Sequence, residues 1–108
     1  MAARLSAGML VSALIRRTEA AGGSAMVLAR GDATAGVLLI QLAERGVPGA
    51  LLERVLDPTG TYRWTPTGPA DSGDRTDYIA RRRQRDPDLW VVELDAADAR
   101  TIVDEVTE

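Results

Sequence analysis

The feature that most constrains this chain is the run VLLIQL at residues 37–42. Side chains of a strand alternate between two faces, so Leu38, Ile40 and Leu42 point one way and Val37 and Leu39 the other. Both faces are apolar where the run begins. A strand of this kind is central and covered on both sides, or one of its faces meets another subunit. The rest of the chain must therefore supply layers to pack against it.

The flanking patterns supply them. Met9 to Ala21 reads as a helix, with Leu10, Ala13 and Leu14 on one face and Gly22-Gly23 as its stop. Strand patterns follow at 25–30, 35–44, 50–56 and 61–65, with RGVPG (45–49) as a loop between the second and third. Asp57-Pro58-Thr59-Gly60 has the residue order of a type I turn and joins the last two strands as a hairpin. PTGPADSG (66–73) is a polar loop. Asp74 to Arg85 reads as a helix capped by Asp74, with Asp77 three residues on. Asp86-Pro87 ends it, because the residue before proline disfavours helix. Leu89 to Leu94 is a fifth strand, and Asp95 is placed to cap a last helix over 96–106.

The order is helix, four strands, helix, strand, helix. It predicts an α+β fold: a mainly antiparallel sheet of about five strands, a meander packed by three helices that can cover one face. The 108 residues suit a single domain spanning 1–108, and 45% apolar content suits a globular core.

The inventory of reactive groups is short. The chain has no Cys and no His, and all 13 of its basic residues are Arg. This removes thiol nucleophiles, Cys/His zinc sites, imidazole bases and lysine Schiff-base chemistry. No catalytic residue and no cofactor site emerges, and the inventory leans away from an enzyme. The apolar stretch Met9–Ile15 is too short to cross a bilayer and lacks a cleavage pattern behind it, so the reading is a soluble, cytoplasmic protein without membrane attachment.

Four patterns remain as candidate sites. RGDATAG (30–36) offers an adhesion-like tripeptide and three turn formers. A phosphate loop runs into a helix N-terminus, whereas here a strand pattern follows. The plain reading is a hairpin connection between the strands on either side. Arg81, Arg82, Arg83 and Arg85 form a dense basic cluster. With Arg16 and Arg17 they make a candidate anion or nucleic-acid site. The competing account is that acids at the start of that helix and arginines at its end complement the helix dipole. The net charge of −3 argues against general attraction to nucleic acid. Tyr62 and Trp64, on one face of a strand, could stack on bases but read better as core. Asp86, Asp88 and Glu93 are the candidate metal ligands, as in a carboxylate-metal phosphoester enzyme, although turn chemistry already explains Asp86.

With those residues in view, the chain resembles a bacterial family, domain of unknown function 1491. The matching segments are VSALIRR (11–17), ARGDATAGVLLI (29–40) and YIARRRQRDPDLWVVELD (78–95). Asp86, Pro87, Asp88, Trp90 and Glu93 match its C-terminal motif. The resemblance implies a compact single-domain bacterial protein and carries no catalytic residue with it. The leading expectation is a non-enzymatic interaction module, a homodimer with an unidentified protein partner. Anion or nucleic-acid binding is the alternative.

Overall fold

The computed structural model describes residues 5–107. Helix α1 (Ala7–Ala20) precedes strands β1 (Ser24–Ala29), β2 (Leu38–Glu44), β3 (Val47–Leu56) and β4 (Tyr62–Pro66). Helix α2 (Ser72–Arg85), strand β5 (Trp90–Asp95) and helix α3 (Ala99–Thr107) follow. The element order is the expected one, and the fold is α+β.

The sheet is more than a meander. Its spatial order is β1-β5-β2-β3-β4. β2, β3 and β4 form antiparallel hairpins, but β5 inserts between β1 and β2, antiparallel to the first and parallel to the second. β1 and β2 therefore never pair, and RGDATAG is not a hairpin connection. It is a bridge across the start of β5.

The helices also divide differently from expectation. α1 and α3 pack on one face, over Leu38, Ile40, Leu52, Trp64, Trp90, Val92 and Leu94. α2 covers the other, where Tyr78 and Ile79 pack on Leu39, Leu51, Leu89 and Val91. The consecutive apolar residues of β2 are the cause: Leu38, Leu39 and Ile40 are all buried, and each face needs its own cover. The apolar run is thus satisfied on both sides within one chain.

Local chemistry sets the element ends. Ser6 caps α1, its hydroxyl accepting from the Met9 N–H at 3.3 Å. At the other end Gly22, at φ +87°, donates to the Glu19 carbonyl, and Gly23 donates to Thr18. This paired arrangement needs a left-handed residue that glycine alone adopts without strain. α2 begins earlier than expected, since Asp71 rather than Asp74 is the cap and accepts from the Gly73 N–H at 2.7 Å. β3 also begins earlier. Arg45 and Gly46, at φ 53° and 78°, make a two-residue turn of the type that matches strand twist. Asp95 explains why an arginine tolerates that conformation. Its carboxylate accepts from both the Arg45 and Gly46 N–H groups at 2.8 Å. Asp95 therefore ties the end of β5 to the β2–β3 turn instead of capping α3, which starts at Ala99.

Candidate functional site

The six arginines of the predicted anion site lie on different layers. Arg16 and Arg17 are on α1, and Arg81 to Arg85 on α2, with the sheet between them. Arg17 pairs with Glu105 of α3. On α2, Arg82 faces the sheet. It forks onto both carboxylate oxygens of Glu53 at 2.9 Å and donates to the Tyr78 hydroxyl at 2.9 Å. The bidentate pair holds the Glu53 carboxyl below its usual range, against the opposing effect of burial. Arg83 donates to the Arg30 carbonyl at 3.2 Å, where α2 meets the end of β1, and its buried Nε has no partner among the described residues. Arg81 and Arg85 remain exposed. Half of the α2 cluster thus fixes the helix to the sheet.

The acidic candidates are not gathered. Asp86 accepts from the Asp88 N–H at 3.2 Å as a turn residue. Glu93 lies within β5, paired with Met26 of β1 and Gln41 of β2. The strand from Trp90 to Glu93 alone spans about 10 Å at ~3.3 Å per residue. Among the described residues no group of three carboxylates is placed to hold a metal ion.

RGDATAG is a packing device. The Asp32 carboxylate accepts from Thr34 and Ala35 N–H groups at 3.0 and 2.8 Å, closing the turn on itself. The Asp32 carbonyl accepts from the Trp90 indole at 2.7 Å. Gly31 and Gly36 are required for close approach rather than for turn conformation. A Cβ on either would lie 2.1 or 2.4 Å from the Asp88 carbonyl oxygen. The Ala33 and Thr34 carbonyls accept from Gly8 and Ala7, so the loop also steadies the start of α1.

Trp64 is core, as expected, with its indole on the Thr107 hydroxyl at 2.9 Å. Tyr62 is exposed beside it, under the Arg54 guanidinium at 4.8 Å from the ring centre. Arg54, Tyr62, Trp64 and Arg100 border an open cleft next to α3. Arg54 donates to the Thr107 carbonyl and Arg100 to the Trp64 carbonyl, so these cations brace the helix against the sheet.

Two features escaped sequence reasoning. Arg75 is buried under α2, and Gln41 is the polar residue it meets on the sheet. Its guanidinium donates to Gln41 Oε1 at 2.9 Å and to the carbonyls of Gly49, Pro69 and Ala70 at 2.7, 3.1 and 3.1 Å. Gln41 interrupts the apolar run of β2, and a buried amide there demands a partner; that interruption was the available signal. The second feature is the outer edge of β1. Ser24–Ala29 carries no charge, and Met26, Val27 and Leu28 are 59%, 39% and 48% exposed. β1 ends the sheet, so among the described residues one side of its backbone has no strand beside it. The opposite edge, β4, contains Arg63 and ends in Pro66, both of which discourage further pairing.

Comparison with known proteins places the fold. A family model described as a protein of unknown function, DUF1491, matches residues 5–104. The chain belongs to the DUF1491 family. A crystal structure of a DUF1491 protein from Caulobacter crescentus CB15 is 35% identical, with 92% of this chain and 94% of that one aligned at a TM-score of 0.79. An NMR structure of a DUF1491 protein from the same organism gives 35% identity, 94% coverage of both chains and a TM-score of 0.77. A solution structure from A. tumefaciens is 30% identical over 93% of this chain and 92% of that one, at a TM-score of 0.70. No curated protein matches. The DUF1491 resemblance of the three sequence segments is thereby established, and the protein is a small bacterial one. None of its described helices is long and apolar enough to cross a membrane.

Proposed function

We propose that this DUF1491 protein is a non-enzymatic interaction module that acts as a homodimer, with the outer edge of β1 as its contact surface. The observation that carries this reading is the uncharged, half-exposed edge strand SAMVLA. An apolar edge is a template for pairing with another chain; β1 carries neither the charge nor the proline that monomeric proteins use to blunt one, and its bulge lies towards its end, between Val27 and Ala29. β2, whose two apolar faces first suggested a subunit contact, is covered from within and no longer argues for one. The lack of Cys, His and Lys is consistent with a binding rather than a catalytic role.

The test is mass by light scattering across a size-exclusion peak, with ultraviolet absorbance read for nucleic acid. The expected result is twice the chain mass and a protein-like absorbance ratio. A monomer would remove the homodimer. A peak carrying nucleic acid would shift the reading to Arg81 and Arg85, the exposed members of the α2 cluster.

A further inference from the structure

The end of the sheet opposite β1 carries a second uncovered region, and what it implies does not rest on the homodimer reading. Arg54 and Leu56 of β3 share the α1/α3 face with Leu52 and stand opposite Trp64 and Tyr62 of β4. α1 and α3 close over the middle of that face and leave this corner open. Trp64 is buried, Arg54 is half-buried, and Leu56 and Tyr62 are exposed. Two clefts meet there, of about 510 and 520 Å³. Arg54, Tyr62 and Trp64 line both, so they form the floor of one trough. A volume of this order suits a small organic molecule.

We propose that the trough binds a small monocarboxylate with an apolar chain, its head forked by Arg54 and its chain laid along Leu5, Leu10 and Val37. The two walls differ in the way such a ligand requires. The wall at the start of α1 and the approach to β2 is apolar at Leu5, Leu10 and Val37. Leu5 and Val37 are 47% and 41% exposed, so a chain covering them removes apolar surface from water. The wall at α3 is polar, with Arg100, Asp104 and Thr107.

Charge selects the head group. Three guanidiniums border the polar end, those of Arg54, Arg63 and Arg100. Arg63 is paired with Asp57 at 2.7 Å and Arg100 with Asp104 at 3.4 Å. Arg54 has no carboxylate partner among the described residues. One of its N–H groups goes to the Thr107 carbonyl at 3.2 Å, and its face rests on the Tyr62 ring. A guanidinium has five donors in a planar fork that matches a carboxylate, so this brace leaves donors to spare. The local surplus is one positive charge, which a monoanion balances. A dianion such as phosphate would also meet Asp104 and the negative end of the α3 dipole.

The test is a titration of isotope-labelled protein with octanoate, followed by N–H chemical shifts, with hexanoate, octylamine and inorganic phosphate as comparisons. Octanoate should shift the Arg54 side-chain N–H, the Trp64 indole N–H and the Val37 amide, and leave Met26 and Val27 on the β1 edge unmoved. It should bind roughly four- to tenfold more tightly than hexanoate, since each methylene taken out of water adds a roughly two- to fourfold gain. Arg54→Gln should weaken octanoate on the order of tenfold or more. Val37→Thr, which keeps the side-chain shape and leaves the Arg54 end intact, should weaken it roughly twofold or more. Should Arg54→Gln fail to fold, Val37→Thr and the chain-length comparison carry the test. Octylamine binding as tightly as octanoate would mean apolar contact without an ion pair and would overturn the proposal. So would phosphate binding as tightly as octanoate, shifts spread to the β1 edge, or no shift at millimolar octanoate. Shifts at the same residues on raising protein concentration alone would seat a second copy of the chain in the trough, and equally overturn it.

Discussion

Arg75 is a cation held inside the molecule by neutral oxygens. Its four acceptors belong to β2, to the β2–β3 hairpin and to the segment leading into α2, so one side chain joins three parts of the chain. Arg75→Met should leave those acceptors without donors and cost about 3 kcal/mol, read as a lower urea midpoint. Arg75→Lys should not restore it, because an ammonium lacks the planar fork. The Glu53–Arg82 pair makes a separate statement about pH. Arg82 lowers the Glu53 carboxyl below its ordinary 4.5, so the folded state binds a proton there less readily than the unfolded chain. That contribution is complete above the unfolded value and disappears as the pH falls through the folded one. Asp57 carries the same sign. Its carboxylate accepts from Thr59, Arg63 and Thr61, which hold it far below its usual range. Wild-type stability should therefore decline below about pH 4.5, where unfolded carboxyls take up protons. Glu53→Gln should flatten part of that decline in urea titrations between about pH 2.5 and 5.5.

At the scale of elements, existence was easier to read than partnership. All three helices and five strands exist where hydrophobic period and turn residues put them, with the starts of α2, β3 and α3 displaced by a few residues, because those signals are local. Four readings failed for non-local reasons. The sequence alone suggests one hairpin for the strands flanking RGDATAG, since sequence order cannot reveal that β5 takes the place between them. The meander rule and the single helical layer failed with it. By sequence Asp95 looks like a helix cap, because a carboxylate before a helical pattern usually is one. Its actual partners, the Arg45 and Gly46 N–H groups, are some fifty residues away. The two roles are separable by substitution. Asparagine caps a helix as well as aspartate does. Here, however, it would set an amide N–H₂ against one of two donors. Asp95→Asn should cost about 1 kcal/mol and Asp95→Ala about 2 kcal/mol, measured by urea unfolding. No change in the asparagine variant would restore the capping role. The glycines of the bridge give a comparable test. Gly31→Ala would drive a Cβ against the Asp88 carbonyl and the Trp90 ring, and should destabilise by about 2 kcal/mol or more. The candidate surface, in contrast, was nearly illegible. SAMVLA reads as an ordinary strand, and only its position at the end of the sheet leaves it half-exposed.

For the whole molecule, the arginines mark a boundary between fold and function. Arg17, Arg54, Arg75, Arg82 and Arg100 all brace one element against another. The double variant Arg81→Ala/Arg85→Ala removes cations that no such contact uses. It should leave the unfolding midpoint within about 0.5 kcal/mol of wild type, as for surface changes generally. Any loss of oligonucleotide binding in that variant would then report on a site rather than on the fold. Strand order has its own consequence, in time rather than in space. Among the described residues β1 pairs with β5 alone, yet sixty residues of chain are made between the two. During synthesis β2, β3 and β4 can form hairpins as they emerge, because each meets its neighbour at once. β1 must wait, with both of its edges open and its apolar side chains uncovered. A parallel pairing between β2 and β5 closes the sheet last, and such long-range closure is intrinsically slow. Chains interrupted before residue 90 should accordingly pellet rather than remain in the supernatant, since their first strand has nothing of its own to join.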